Sequence, residues 1–201
     1  RPELDRHLVH GLDTGRPCAP VPGRHGWRRT LKVSSALHLP LEPGGPTDFD
    51  FLLGSWAVRH RRLKARLAGS TEWEQFAGSC VMHKILGGFG NVDDNILDLP
   101  AGAYRAATVR SYDRRSGAWS IWWLDARAPG ALDVPVVGGF KDGRGTFLAD
   151  DLLDGLPTRV RFLWTLPAPE RPRWEQAFSP DGGVTWETNW IMDFRRDSGA
   201  A

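Results

Sequence analysis

The sequence predicts an all-β protein, an antiparallel barrel of about ten strands entered through one short helical turn, and three observations predict it. Ten tryptophans accompany 23 glycines and 15 prolines in 201 residues, which suits an aromatic core joined by tight turns. From residue 48 onward apolar residues recur mainly with period two, and Gly, Asp, Asn and Pro punctuate the runs. A meander of that many strands exposes two edges unless it closes, and closure into a barrel removes both.

Taken in order, Asp48-Phe-Asp-Phe-Leu-Leu-Gly54 reads as one helical turn ended by glycine, leading into a first strand over 55–66. Further strands are expected near 72–86, 88–97, 103–112, 118–126, 134–140, 144–150, 157–166, 172–179 and 184–195. Three links read as hairpins. Asp113-Arg-Arg-Ser-Gly117 and Asp142-Gly-Arg-Gly145 supply glycine where a reversal needs positive φ. The third, Ser179-Pro-Asp-Gly-Gly-Val-Thr-Trp186, has the Ser-x-Asp-x-Gly-x-Thr-Trp form of an Asp-box, in which the aspartate satisfies turn amides and the tryptophan packs beneath. Sialidase propellers carry several such boxes, but there is one copy here and no repeat of blade length, so it reads as a stable hairpin.

Alternation also says which side chains face inward. Thr158, Val160, Phe162 and Trp164 share one face, opposite Arg159 and Arg161. In the last strand Trp186, Thr188, Trp190, Met192 and Phe194 oppose Glu187, Asn189, Asp193 and Arg195. Charged faces belong outside, so tryptophans are expected to line the interior. The same rule groups Trp119, Ile121, Trp123 and Asp125, and it groups Tyr104, Thr108, Arg110 and Tyr112.

Composition changes near residue 47. Residues 1–47 hold seven of the 15 prolines and four of the six histidines, with seven basic against four acidic residues; the remainder carries 19 against 20. Residues 1–46 are therefore expected to be a Pro/Gly/Arg-rich, poorly ordered leader. Leu4, Leu8 and Leu12 have the spacing of a short helix that Pro17 would end. The chain opens on Arg rather than Met, which marks the leader as a processed end, a fragment end or an upstream extension. The body is expected over 47–196, with a frayed tail over 197–201.

The net charge of +2 lacks the one-signed field of a nucleic-acid binder, and no apolar run approaches the roughly 20 residues of a membrane helix. The reading is a soluble, cytoplasmic protein with neither nucleic acid nor membrane as partner. Two cysteines, Cys18 and Cys80, make no disulfide scaffold. No phosphate loop, dinucleotide fingerprint or Gly-x-Ser-x-Gly elbow is present. His60, His83, Asp93 and Asp94 lack the paired spacing of zinc sites, so neither metal nor cofactor is expected.

Several residues can carry chemistry. His60 and Arg62 follow Trp56 and Val58 on the inward face of the first strand, either as an anion hook or as rim side chains beyond the core. Asn91, Asp93 and Asn95 alternate onto one face, where Asp93 pairs with Arg62 or Arg110 or the three contact a polar ligand head. Arg110 and Asp125 form an internal ion pair, or Asp125 is an unpaired acid among Trp119 and Trp123. Trp123, Trp164, Trp174, Trp186 and Trp190 fill the core or stack on a flat ligand. The basic run Arg59-His-Arg-Arg-Leu-Lys-Ala-Arg66 divides between two strand faces and makes no continuous patch.

Phe51-Leu-Leu-Gly-Ser-Trp56, His60-Arg-Arg-Leu63, Gly90-Asn-Val-Asp-Asp-Asn95, Trp119-Ser-Ile-Trp-Trp-Leu-Asp125, Trp174-Glu-Gln-Ala-Phe178 and Trp186-Glu-Thr-Asn-Trp190 occur in this order. The set resembles a group of bacterial lipocalin-like (calycin-type) barrels catalogued as a domain of unknown function. The resemblance covers about 47–196 and implies a barrel sized for a small molecule. It implies no catalytic residue, and the leader has no counterpart in it.

The expected function is binding of a small, mostly apolar molecule, aromatic or acyl, in a Trp-lined lumen. Its ligand contacts are expected from His60, Arg62, Asn91, Asp93, Asn95, Arg110, Trp123, Asp125, Trp164, Trp174, Trp186 and Trp190. Two other readings of the same barrel stay open: a cofactor-independent isomerase, cyclase or lyase, and a filled barrel acting as an interaction protein. Fold alone does not separate them, and oligomeric state is not legible in the sequence.

Overall fold

In the computed structural model, which describes residues 44–168 and 170–197, the chain forms one closed antiparallel barrel. Its strands are β1 (Gly54–Leu63), β2 (Trp73–Ile85), β3 (Gly90–Leu99), β4 (Gly102–Asp113) and β5 (Ala118–Asp125). They continue as β6 (Val136–Lys141), β7 (Arg144–Leu153), β8 (Leu156–Ala168), β9 (Arg171–Ser179) and β10 (Glu187–Arg196). Each strand pairs with its sequence neighbours, and β1 pairs with β10 to close the ring, Trp56 standing opposite Arg196 and Arg62 opposite Trp190. The all-β prediction of about ten strands therefore matches the structure. The leader helix, Cys18 and residues 198–201 lie outside the described residues. Among the described residues no helix is long and apolar enough to cross a membrane.

The short turn before β1 is a single 3-10 turn, Asp50–Leu52, and it plugs one end of the barrel. Phe49 is almost wholly buried, edge-on to Trp119 and Phe140 with ring centroids 5.0 Å away in each case. Phe147 stacks on it at 5.7 Å, and Trp164 stands edge-on at 6.1 Å. Polar ties hold the plug in place. The Trp119 indole N–H donates to Asp48 (3.1 Å), the Trp56 indole N–H to the Leu52 carbonyl (2.7 Å), and Lys84 pairs with Asp50 at 2.8 Å. This end of the barrel is consequently an aromatic stopper.

The hairpins follow from their residues. Asp142 and Gly143 both have positive φ, 51° and 75°, the requirement of the two-residue turn whose twist matches the flanking strands. In the 180–186 link Asp181 accepts from the Val184 and Thr185 amides at 3.0 and 2.9 Å and from the Thr185 hydroxyl at 2.6 Å. The Ser179 hydroxyl donates to the same carboxylate at 2.7 Å. These bonds, those from Thr185 foremost, hold the Asp181 carboxyl well below its ordinary value of 3.8. A carboxyl depressed in the fold contributes stability above its unfolded value and loses that contribution as pH falls further. Melting temperatures from pH 7 to pH 2 are therefore expected to show a decline below about pH 3.8 that is shallower in Asp181→Ala, whose melting temperature at pH 7 is lower.

The structure corrects one strand face. The β9–β10 register shifts between Thr188 and Trp190, a bulge that gives β10 one extra residue, Asn189. Trp190, Met192 and Phe194 face inward as expected, but the alternation reverses before the bulge. Trp186 is thus carried outside, where its indole N–H donates to the Gly183 carbonyl at 2.9 Å and the Arg161 guanidinium covers its ring at 4.2 Å. It belongs to the outer hairpin and is no lumen residue.

Candidate functional site

Period two on β1 places Trp56, Val58, His60 and Arg62 in a buried row, so the two polar residues lie inside the barrel and not on a solvated rim. Facing strands add Asn91, Asp93 and Asn95 from β3 and Thr108 and Arg110 from β4, all buried. These interior polar residues fall into two groups.

The first group is a hydrogen-bonded network centred on Asp93, beside the aromatic stopper. Arg110 Nη1 donates to Asp93 Oδ2 at 2.6 Å and to Asn91 Oδ1 at 3.0 Å. Asp93 Oδ1 also accepts from Asn95 Nδ2 at 2.5 Å and from the Thr108 amide at 3.1 Å. The guanidinium lies over the Phe49 and Trp164 rings, 5.1 and 5.7 Å from their centroids. Of the two partners predicted for Asp93, Arg110 is the one that pairs with it. Cys80 lies nearby, and burial, with the Asp93 charge, pushes its thiol well above the ordinary range, so it is no nucleophile.

The predicted pair of Arg110 with Asp125 does not form. In the β4–β5 register Arg110 stands opposite Ile121 and Asp125 opposite Ala106, a separation of four residues or about 13 Å along the strands. Asp125 is held instead by Arg127, at 2.7 Å from Nη2 and 3.0 Å from Nε, while Arg127 covers the Tyr104 ring at 3.7 Å. An unpaired acid among tryptophans is therefore absent at this position.

The second group is aromatic and lies toward the opposite end. Trp190 stands edge-on to Trp123 and Trp174, with centroids 5.8 and 5.6 Å away, and Trp174 is edge-on to Phe162 at 4.8 Å. His60 stacks on Phe76 at 4.6 Å, and its Nδ1 accepts the Trp190 indole N–H at 3.2 Å. That bond requires an unprotonated Nδ1. Burial, reinforced by Arg62, lowers the His60 pKa from 6.5 to about 3, so the imidazole is neutral with its proton on Nε2. Arg62 lies between the Phe76 and Trp190 rings, 5.5 Å from each, and its Nη2 reaches Glu74 at 3.2 Å.

Gly78 makes room for this arrangement. A Cβ there would meet His60 Nε2 at 2.6 Å and the Ile96 carbonyl oxygen at 2.5 Å, so no larger residue fits while the imidazole keeps its stack.

Trp123, Trp174 and Trp190 thus come together with His60 and Arg62, whereas Trp164 joins Phe49 in the stopper and Asn91, Asp93, Asn95 and Arg110 form the network around Asp93. Sequence reasoning missed Asn189, which is fully buried, and Gln176, whose Nε2 donates to Asn189 Oδ1 at 2.8 Å. Alternation with Trp174 and Phe178 could have found Gln176. The bulge hid Asn189.

Fold and lining define a closed antiparallel barrel with a polar and aromatic interior. No family model matches the chain, and no curated protein matches it. Among solved structures it is similar to the S-type phycobiliprotein lyase CPES from Guillardia theta, at 11% identity over 76% of this chain and 92% of that chain, with a TM-score of 0.48.

Proposed function

We propose that the barrel binds a small, largely apolar molecule, aromatic or acyl, against Trp123, Trp174 and Trp190, oriented by His60 and Arg62. The observation that carries this reading is the division of the interior. One end is stopped by Phe49 and its ring neighbours, while three indoles at the other end meet edge to face beside buried hydrogen-bonding side chains. Indole edges and faces suit a flat or acyl body, and a few polar groups suit its orientation. Binding is favoured over turnover because the reactive groups are engaged: Asp125 by Arg127, Asp93 by three donors, and His60 by Trp190.

Native mass spectrometry of freshly purified protein, beside a denatured control, is expected to show a reproducible non-covalent adduct. The same protein, stripped and titrated with 2-acetylnaphthalene, is expected to lose tryptophan fluorescence saturably. A clean apo mass together with no saturable quenching up to the solubility limit would sink the proposal and favour the filled-barrel reading.

A further inference from the structure

The bulge in β10 has placed one side chain where the strand pattern would not. Asn189 is the extra residue between Thr188 and Trp190, and it is 0% exposed. Its amide lies against Gln176, whose Nε2 donates to Asn189 Oδ1 at 2.8 Å. Gln176 alternates with Trp174 and Phe178 and registers with Phe162 on one side and Trp190 on the other, so it faces the interior. The Asn189 amide joined to it faces the interior too, beside Trp190.

In this pair of amides the Asn189 nitrogen stays unmatched. Asn189 Nδ2, which carries two N–H groups, has no hydrogen-bond partner. Buried donors in folded proteins are nearly always paired, and an unpaired one in a polar-aromatic interior asks for an acceptor. Bulges are the device by which strands re-aim a side chain at a site. In regular alternation Asn189 would face outward, opposite Trp190, so the bulge is what brings a neutral donor among the tryptophans.

We infer that Asn189 is a ligand-binding residue whose Nδ2 donates to a neutral acceptor oxygen, a ketone, ester or amide carbonyl, on an apolar molecule lying along Trp174 and Trp190. The inference rests on the small-molecule reading above and narrows its ligand class. A neutral acceptor fits because the Asn189 and Gln176 amides are uncharged, and the nearby cations Arg62 and Arg127 already have Glu74 at 3.2 Å and Asp125 at 2.7 Å. Gln176 fixes the Asn189 amide by occupying its oxygen, which leaves the nitrogen for the ligand.

The test compares two planar-substituted probes of similar shape, 2-acetylnaphthalene and 2-isopropenylnaphthalene, in which a CH2 group replaces the carbonyl oxygen. Affinities are read by tryptophan quenching in the full chain and in Asn189→Leu. The ketone is expected to weaken about tenfold in the variant, the size of one neutral hydrogen bond, while the hydrocarbon changes little. An unchanged ratio of the two affinities overturns the inference and leaves the small-molecule reading standing; no saturable binding of either probe by the wild type overturns both. Because Asn189→Leu strands the Gln176 amide, the double variant Gln176→Leu/Asn189→Leu repeats the measurement with no polar group left behind. A second readout needs no substitution. The carbonyl stretch of bound 2-acetylnaphthalene is expected at lower frequency than in hexane, and a band at the hexane frequency overturns the inference.

Discussion

Asp93→Asn is expected to lower the free energy of unfolding by about 3–5 kcal/mol, because it leaves the Arg110 cation buried without its counter-charge. Each side chain of the pair is at most 4% exposed, and Nη1 lies 2.6 Å from Oδ2, so solvent screens the pair very little. A loss of that size is a large fraction of the roughly 5–15 kcal/mol that holds a domain together. Arg110→Met is expected to be comparably damaging, since it leaves a buried carboxylate with only the Asn95 and Thr108 N–H donors. The double variant Asp93→Asn/Arg110→Met keeps an acceptor for those donors and removes both charges. It is expected to recover most of the loss, and urea unfolding of all four proteins measures the coupling. If the double variant is as unstable as the sum of the singles, the pair is not the unit that holds these strands.

The second large effect is a pH dependence centred on His60. In the unfolded chain this histidine takes a proton near its ordinary 6.5, but in the barrel burial and Arg62 lower its pKa to about 3. Below pH 6.5 the unfolded state therefore binds more protons than the folded one, and stability falls as pH falls. The contribution is fully present above pH 6.5 and declines by about 1.4 kcal/mol per pH unit, so some 2–3 kcal/mol is expected to be gone near pH 4.5. His60→Gln keeps an acceptor for the Trp190 indole and removes the titration. Its unfolding free energy between pH 7 and pH 4.5 is expected to be nearly flat, and a slope equal to that of the wild type would place the titrating group elsewhere. The window lies above that of Asp181, so the two variants separate the two groups.

Strand order and most of the inward faces were legible because alternation is a local property: Trp56, Val58, His60 and Arg62 announce their side of the sheet by spacing alone. Height along the barrel axis is not local. Arg110 and Asp125 share the inward side of neighbouring strands, yet the register sets them four residues apart, and only pairing geometry could say so. The bulge at Asn189 was illegible for a different reason. One inserted residue leaves no mark in composition, but it reverses the face of everything before it, which put Trp186 on the wrong side and concealed the buried Asn189 amide. The stopper was half legible, since the turn around Phe49 was foreseen and its entry into the barrel was not.

The seam between β1 and β10 bears on how the molecule is made. The hydrogen bond from Trp190 to His60 joins residues 130 positions apart, so two parts of the candidate site come from opposite ends of the folded body. On a ribosome, β1 through β9 can meander in order of synthesis, but each waits on a strand that emerges last. Until then β1 and β9 are raw edges able to pair with another chain, and non-local pairing of this kind is slow. Truncation before residue 187 is thus a route to aggregation, and any molecule that touches both His60 and Trp190 acts as a clasp on the finished barrel.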